Sequence, residues 1–350
     1  MKRWRWIAVI GTAILLCACG ARTQPTALFP ESEPEAAQEP QVRHVLLTHS
    51  ETVDSLTHQL AGQFQAELEE LSGGRMLVSI YPNNTLGSLA DGVHAFSNGA
   101  IEFRLGSGPS DLLQIVKWTP VLSGLSLDGL NGLLEKGSAF WDQVQEECGQ
   151  DQCQLLAIFP AEYRVLTSNR RIDGCEDLAG LKLRVPERGY DQQFWSVLGA
   201  DTATSSIEEV YFALQQGEFE AQENTLSSIY ANRFYEYQKY VISTNHKVYF
   251  DALYVSLPFY EDLSPEERAW VEEAANQVCG SAVQLNQQWQ ERCLEQMSRA
   301  GVAWVNFPEE QRAAMREQCQ EGLLASLKEN YGGEKVDALL AELTQAAAEE

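Results

Sequence analysis

From residue 42 onward, short apolar runs and longer helical stripes take turns along the chain. Val45, Leu46 and Leu47 form a first strand, and apolar residues at helical spacing follow over 53–71 until Gly73-Gly74 stops them. Residues 76–81 read as a second strand, 86–96 as a helix and 101–105 as a third strand. Farther on, 155–159 and 164–167 are strands, and Leu181 and Leu183 alternate with Lys182 and Arg184 in a strand ended by Pro186. Ser205 and Ser206 stand before Glu208 and Glu209 as a helix N-cap with acids in the first turn; Ile207, Val210, Tyr211 and Leu214 supply the apolar face and Gly217 the stop. Residues 219–222 make a short buried strand, and 240–242 and 248–256 two more.

Over 264–300 the pattern stays helical, with Ser264 as N-cap, Pro265 in the first turn, Gly301 as stop and Gly280 inside as a place to bend. Such a helix is about 55 Å long, enough to lie across two domains. A strand at 302–305 and helices through Ala347 complete the chain. Strands alternating with helices predict an α/β fold with mixed, mostly parallel sheets covered on both faces. The two returns of the chain predict interleaved domains: 42–161 with 250–289, and 162–249 with 290–350. A hinge cleft lies between them.

The first residues change the picture. Lys2, Arg3 and Arg5 precede an apolar run over 7–16 and then Cys17-Ala18-Cys19-Gly20. The run is too short to span a bilayer, so 1–18 reads as a lipoprotein signal peptide with Cys19 as the lipidated residue. Residues 19–41, rich in Pro, Glu, Ala, Gln and Thr, read as lipid anchor and flexible linker. The expected place is the outer face of the cell membrane, held there through the lipid alone. A net charge of −25 argues against nucleic acid. Of eight cysteines, six fall after the leader. Cys148 and Cys153, flanking a polar turn, are the first disulfide candidates in an exported chain, and Cys293 with Cys319 the second if their helices form a hairpin. No spacing fits a metal site or a cofactor motif, and the five histidines form no catalytic array.

Arg184 falls at a strand end, where open α/β sheets place ligand contacts. From spacing alone it reads first as a surface arginine paired with Glu187 or a nearby acid, and second as a fork for a carboxylate. Asn224 reads either as the cap of the next helix or as a donor and acceptor for a ligand. The turn Gly106-Ser107-Gly108-Pro109-Ser110 is expected to line the cleft through Ser107.

Four blocks in order, AEYRVLTSNRRI from Ala161, GLKLRVP from Gly180, EEVYFALQQGEFEAQEN from Glu208 and FYEYQKYVISTNH from Phe234, resemble the substrate-binding proteins of tripartite ATP-independent periplasmic (TRAP) transporters. The sialic-acid-binding branch is the most similar. The resemblance implies a periplasmic-binding-protein-like fold that closes over a small organic acid and delivers it to the transporter's membrane subunits, with no enzymatic activity. It implies that Arg184 grips the carboxylate, that Asn224 helps hold it and that Arg164 is a further contact. Departures stand beside these: Ala221 and Thr225 replace the family's glycine and proline, Ile207 replaces a phenylalanine, and Ser88, Leu89 and Ser107 occupy positions of acidic and amide groups. Thr48, His49 and Trp195 are candidates to replace the missing contacts. The other reading is a stand-alone ligand-sensing lipoprotein feeding a signalling partner, because both uses begin with the same closure.

Overall fold

The structure, a computed structural model, describes residues 42–86, 89–186 and 189–349. The leader, Cys19, the tether, Ser88 and Glu187 lie outside the described residues. The chain runs β1 (Arg43–Thr48), α1 (Leu56–Leu71), β2 (Met76–Tyr81), α2 (Leu89–Ser97), β3 (Phe103–Gly106), α3 (Asp111–Val116), α4 (Thr119–Leu122), α5 (Leu127–Leu133), α6 (Ala139–Gln150) and β4 (Cys153–Ile158). It continues through β5 (Glu162–Ser168), β6 (Lys182–Val185), α7 (Tyr190–Val197), β7 (Asp201–Thr204), α8 (Ile207–Gln216), β8 (Ala221–Thr225), α9 (Leu226–Ala231) and β9 (Tyr240–Tyr249). β10 (Ala252–Ser256), α10 (Leu257–Asp262), α11 (Pro265–Arg299), β11 (Ala303–Val305), α12 (Glu309–Tyr331) and α13 (Gly333–Glu349) close it.

Two sheets form, in the orders β2-β1-β3-β10-β4 and β11-β9-β5-β8-β6-β7. Each is parallel but for one strand, β10 in the first and β5 in the second. Because strand side chains alternate between faces, each sheet feeds two cores. In β10, Ala252 and Tyr254 join one core while Leu253 and Val255 join the other. Both cores extend over both sheets: one gathers α6, α7 and α12, the other α1, α8 and α11. The lobes thus share two continuous helical layers.

The chain passes between sheets at β4–β5, at β9–β10 and along α11. The first two passages are tied together where Phe159 N donates to Asp251 O at 2.8 Å. The third packs on α1 and β4 in one lobe and on α9 and β11 in the other. It runs unbroken through Gly280. Ser264 caps it as the sequence predicts: its hydroxyl accepts from Glu267 N at 3.3 Å, and the Glu267 carboxylate accepts from Ser264 N at 2.8 Å. Glu267 also pairs with Arg43 of β1 at 2.7 Å, fastening the helix start to the first sheet.

α13 packs on α12 and also on α5, and Lys335 bridges Asp111 and Glu147 at 3.0 and 2.7 Å, so the last helix touches both lobes. Cys148 and Cys153 come together but are free thiols, the Cys153 thiol facing the Cys148 carbonyl at 3.3 Å. Cys293 and Cys319 cannot meet because they sit in different cores. Replacing Ser264 by Ala should lower stability by about 1 kcal/mol in urea denaturation. An unchanged midpoint would show that the long helix is held by packing alone.

Candidate functional site

In the second sheet β5, β8 and β6 are neighbours, so Arg164, Asn224 and Arg184 arrive from three adjacent strands. All three line a cavity of about 240 Å³, together with Ser107 and Ile207. Thr48 and His49 line an adjoining cavity of about 260 Å³, which shares Ser50, Ser107, Ile207 and Tyr249 with the first. Trp195 lines neither; it is fully buried, packed edge-on against Phe194 and against His246. Ser88 lies outside the described residues, as does the side chain of Leu89.

The two arginines differ in their partners. Arg164 Nε and Nη2 donate to the two carboxylate oxygens of Glu223 at 2.6 and 2.9 Å, a buried bidentate pair across β5 and β8. His246 on β9 completes a triad, its Nε2 3.1 Å from Glu223 and its Nδ1 2.9 Å from the Thr244 hydroxyl. Burial works against the Glu223 charge, but Arg164 and His246 outweigh it and hold the carboxyl well below the usual range.

Among the described residues Arg184 has no such acid. Its Nε and Nη2 donate to the carbonyl of Ser205 at 3.1 and 2.6 Å, and Nη1 is buried without a partner. The side chain is 2% exposed, and burial lowers its pKa to about 10. A buried guanidinium held on one side by a carbonyl and unanswered on the other has the chemistry to pair with an anion. Asn224 lies beside it: Oδ1 accepts from Thr225 N at 3.0 Å. The capping of α9 falls instead to Thr225, whose hydroxyl accepts from Ser228 N at 3.1 Å. Thr225 therefore does the work of turning strand into helix, and Asn224 lines the cavity.

The first lobe contributes through the turn after β3. Gly108 has φ +65°, and a Cβ there would fall 1.8 Å from the Tyr254 hydroxyl, so the turn can close on Tyr254 only with glycine. Ser107 is thereby held at the border of both cavities. His49 Nε2 lies 3.0 Å from His58, and burial, then His58, lowers its pKa to about 4, so it is neutral at physiological pH.

Several lining residues escape sequence reading: Glu51, Lys117, Glu162, Lys247, Tyr249, Asp251 and Asn286. Five of them, all but Glu51 and Lys117, sit at or near the passages between sheets. Lys247 pairs with Asp191 at 2.8 Å. Asp251 accepts from the Thr57 hydroxyl at 2.5 Å and from Tyr249 at 2.9 Å. Asn286 brings α11 to the cavity. A search for polar residues at chain crossings would have found most of them. Among the described residues no cluster fits a metal ion.

Burial, then the charge of Asp251, raises Glu51 to about 7; burial, with Asp251 again adding, raises Glu162 to about 7 as well. Their ordinary value is 4.5, so the folded state keeps protons that the unfolded chain has lost between these limits. Stability conferred by the protonated forms is present below pH 4.5 and falls as pH rises through 7. Glu162→Gln should therefore be more stable than the parent at pH 8 by roughly 2–3 kcal/mol relative to their difference at pH 4.5. Urea denaturation of both proteins at the two pH values checks this; parallel pH dependence would contradict it.

A profile of bacterial extracellular solute-binding proteins, family 7, matches residues 47–123 and 130–330. A solute-binding protein of Roseobacter denitrificans is 30% identical over 238 residues, 65% of this chain and 71% of that one. Its crystal structure, with bound L-galactonate, superposes with a TM-score of 0.72 at 25% identity, covering 86% of this chain and 99% of that one. The sialic acid-binding periplasmic protein of Vibrio cholerae is 28% identical over 266 residues, 74% of this chain and 81% of that one. A TRAP periplasmic solute-binding protein of Ochrobactrum anthropi shares the fold, with a TM-score of 0.78 at 24% identity over 89% of this chain and 98% of that one. The resemblance carried by the LRVP and QEN blocks is thus met along most of the chain, and the chain belongs to family 7 of the bacterial extracellular solute-binding proteins, the receptors of TRAP transporters.

Proposed function

We propose that this protein captures a small organic acid, of the sialic acid, sugar acid or dicarboxylate class, between its lobes and hands it to the membrane subunits of a TRAP transporter. The observation that carries this reading is Arg184, buried, cationic and without an ion pair among the described residues. Its free edge receives the ligand carboxylate, Asn224 adds a hydrogen bond, and Arg164, already paired with Glu223, contributes field and shape. Ser107 and Glu51 belong to the first lobe and Arg184 to the second, so a ligand touching both favours the closed form by the contacts made only there. Relatives with bound galactonate and galacturonate support the class.

Isothermal titration calorimetry with galactonate, galacturonate, gulonate, sialic acid and succinate tests the assignment. Arg184→Ala should weaken the best of these by about a hundredfold or more, the worth of two charge-assisted hydrogen bonds. Arg184→Lys should lose about tenfold or more, because an ammonium cannot hold the carbonyl of Ser205 and a carboxylate in one plane. Affinity within about threefold of the parent in a folded Arg184→Ala protein would overturn the role.

The sequence Leu16-Cys17-Ala18-Cys19 supports attachment to the outer face of the membrane through a lipid on Cys19, with the polar tether giving the receptor reach. Cys19→Ser should abolish incorporation of labelled palmitate in bacterial cells and release the protein from the membrane fraction. Unchanged fractionation would exclude the anchor.

A further inference from the structure

Two acids of the cavity have no cation paired with them among the described residues. Arg164 is engaged by Glu223 and Lys247 by Asp191, and the charge of Lys117 acts on Asp251. Arg184 answers the ligand carboxylate. Glu51 and Glu162 line the same cavity, and neither has an ion pair among the described residues. Glu162 is 7% exposed; Ser227 and Thr225 act on it as hydrogen-bond donors, yet its Oε2 has no hydrogen-bond partner. Buried acceptors without donors mark places that something else fills. Two carboxylates acting on each other in a closed space favour a positive occupant over a neutral one. Tyr249 and Phe159 line the cavity as well.

On the reading that Arg184 receives a carboxylate, we propose that Glu51 and Glu162 form a second subsite for a protonated nitrogen, so that the ligand is an amino-substituted acid, an amino acid or amino sugar acid. A ligand bearing hydroxyl groups alone donates hydrogen bonds to these oxygens but leaves their charge unanswered. An ammonium supplies both donors and charge, and its separation from the carboxylate selects among amino acids. The groups that act on the two acids are Asp251, Arg164 and Glu208 on Glu51, and Asp251, Ser227 and Thr225 on Glu162. Without a cation between them the two carboxyls are partly protonated near pH 7, so an arriving ammonium ionises them and protons leave on binding.

Matched pairs separate the alternatives: D-glucosaminate against D-gluconate, L-glutamate against L-2-hydroxyglutarate, and L-alanine against L-lactate. Each is titrated into the intact protein by calorimetry at pH 7 in two buffers of different ionisation enthalpy. The amino member of at least one pair should bind about tenfold tighter or better, with net proton release. Glu51→Gln and Glu162→Gln, each checked for folding by circular dichroism, should shrink that preference to about threefold or less. Hydroxy acids that bind as tightly as their amino partners, or tighter, would overturn the ammonium subsite and leave the carboxylate receptor standing. If no acid of either kind binds the folded protein, the carboxylate reading falls and the subsite with it.

Discussion

The site rests on one buried ion pair. Arg164 and Glu223 face each other across neighbouring antiparallel strands, and each is buried. Neither charge could be accommodated there alone, since an uncompensated ion in such a place costs several kcal/mol. Their pairing, braced by His246 from the next strand, fixes β5, β8 and β9 in register. It also decides the fate of Arg184 one strand away. With Glu223 engaged, Arg184 finds only the carbonyl of Ser205 among the described residues, and its positive charge has no ion pair there.

Topology places this charge where two lobes meet. Three passages of the chain converge on the cavity, through Phe159 and Glu162, through Tyr249 and Asp251, and through Asn286 of the long helix. Residues that carry the backbone between lobes also line the cavity. A ligand that shifts them acts directly on the connections that set the opening, without a relay through the cores. The two helical layers shared by the lobes restrict the directions in which such movement can occur, because packed cores resist continuous deformation.

Acidic residues near the cavity do not contradict an anionic ligand. Glu223, Asp191 and Asp251 each face a cation or hydrogen-bond donors of the protein. Glu51 and Glu162 have no ion pair among the described residues, and burial together with the charge of Asp251 raises both. A bipolar pocket of this kind discriminates by the distance between charges on the ligand as well as by their sign.

Much was legible in the chain alone. Local periodicity and end signals located most of the strands before the second lobe's helices, the capped start of α8 and the 35 residues of α11, because such features depend on neighbours a few positions away. The blocks around Arg164, Arg184 and Asn224 identified the family and brought three true neighbours in space onto one short list. The helices α3 to α6 and the unbroken β9 were not read, since short polar-rich stripes and a strand crossing between environments carry weak local patterns. Sequence likewise could not say that Arg164 is neutralised while Arg184 is not, that Thr225 rather than Asn224 caps α9, or that Glu51, Glu162 and Asp251 converge. Those outcomes depend on residues far apart in the chain that meet only when three crossings and two sheets are in place, and the energy of a charge is set by what surrounds it there.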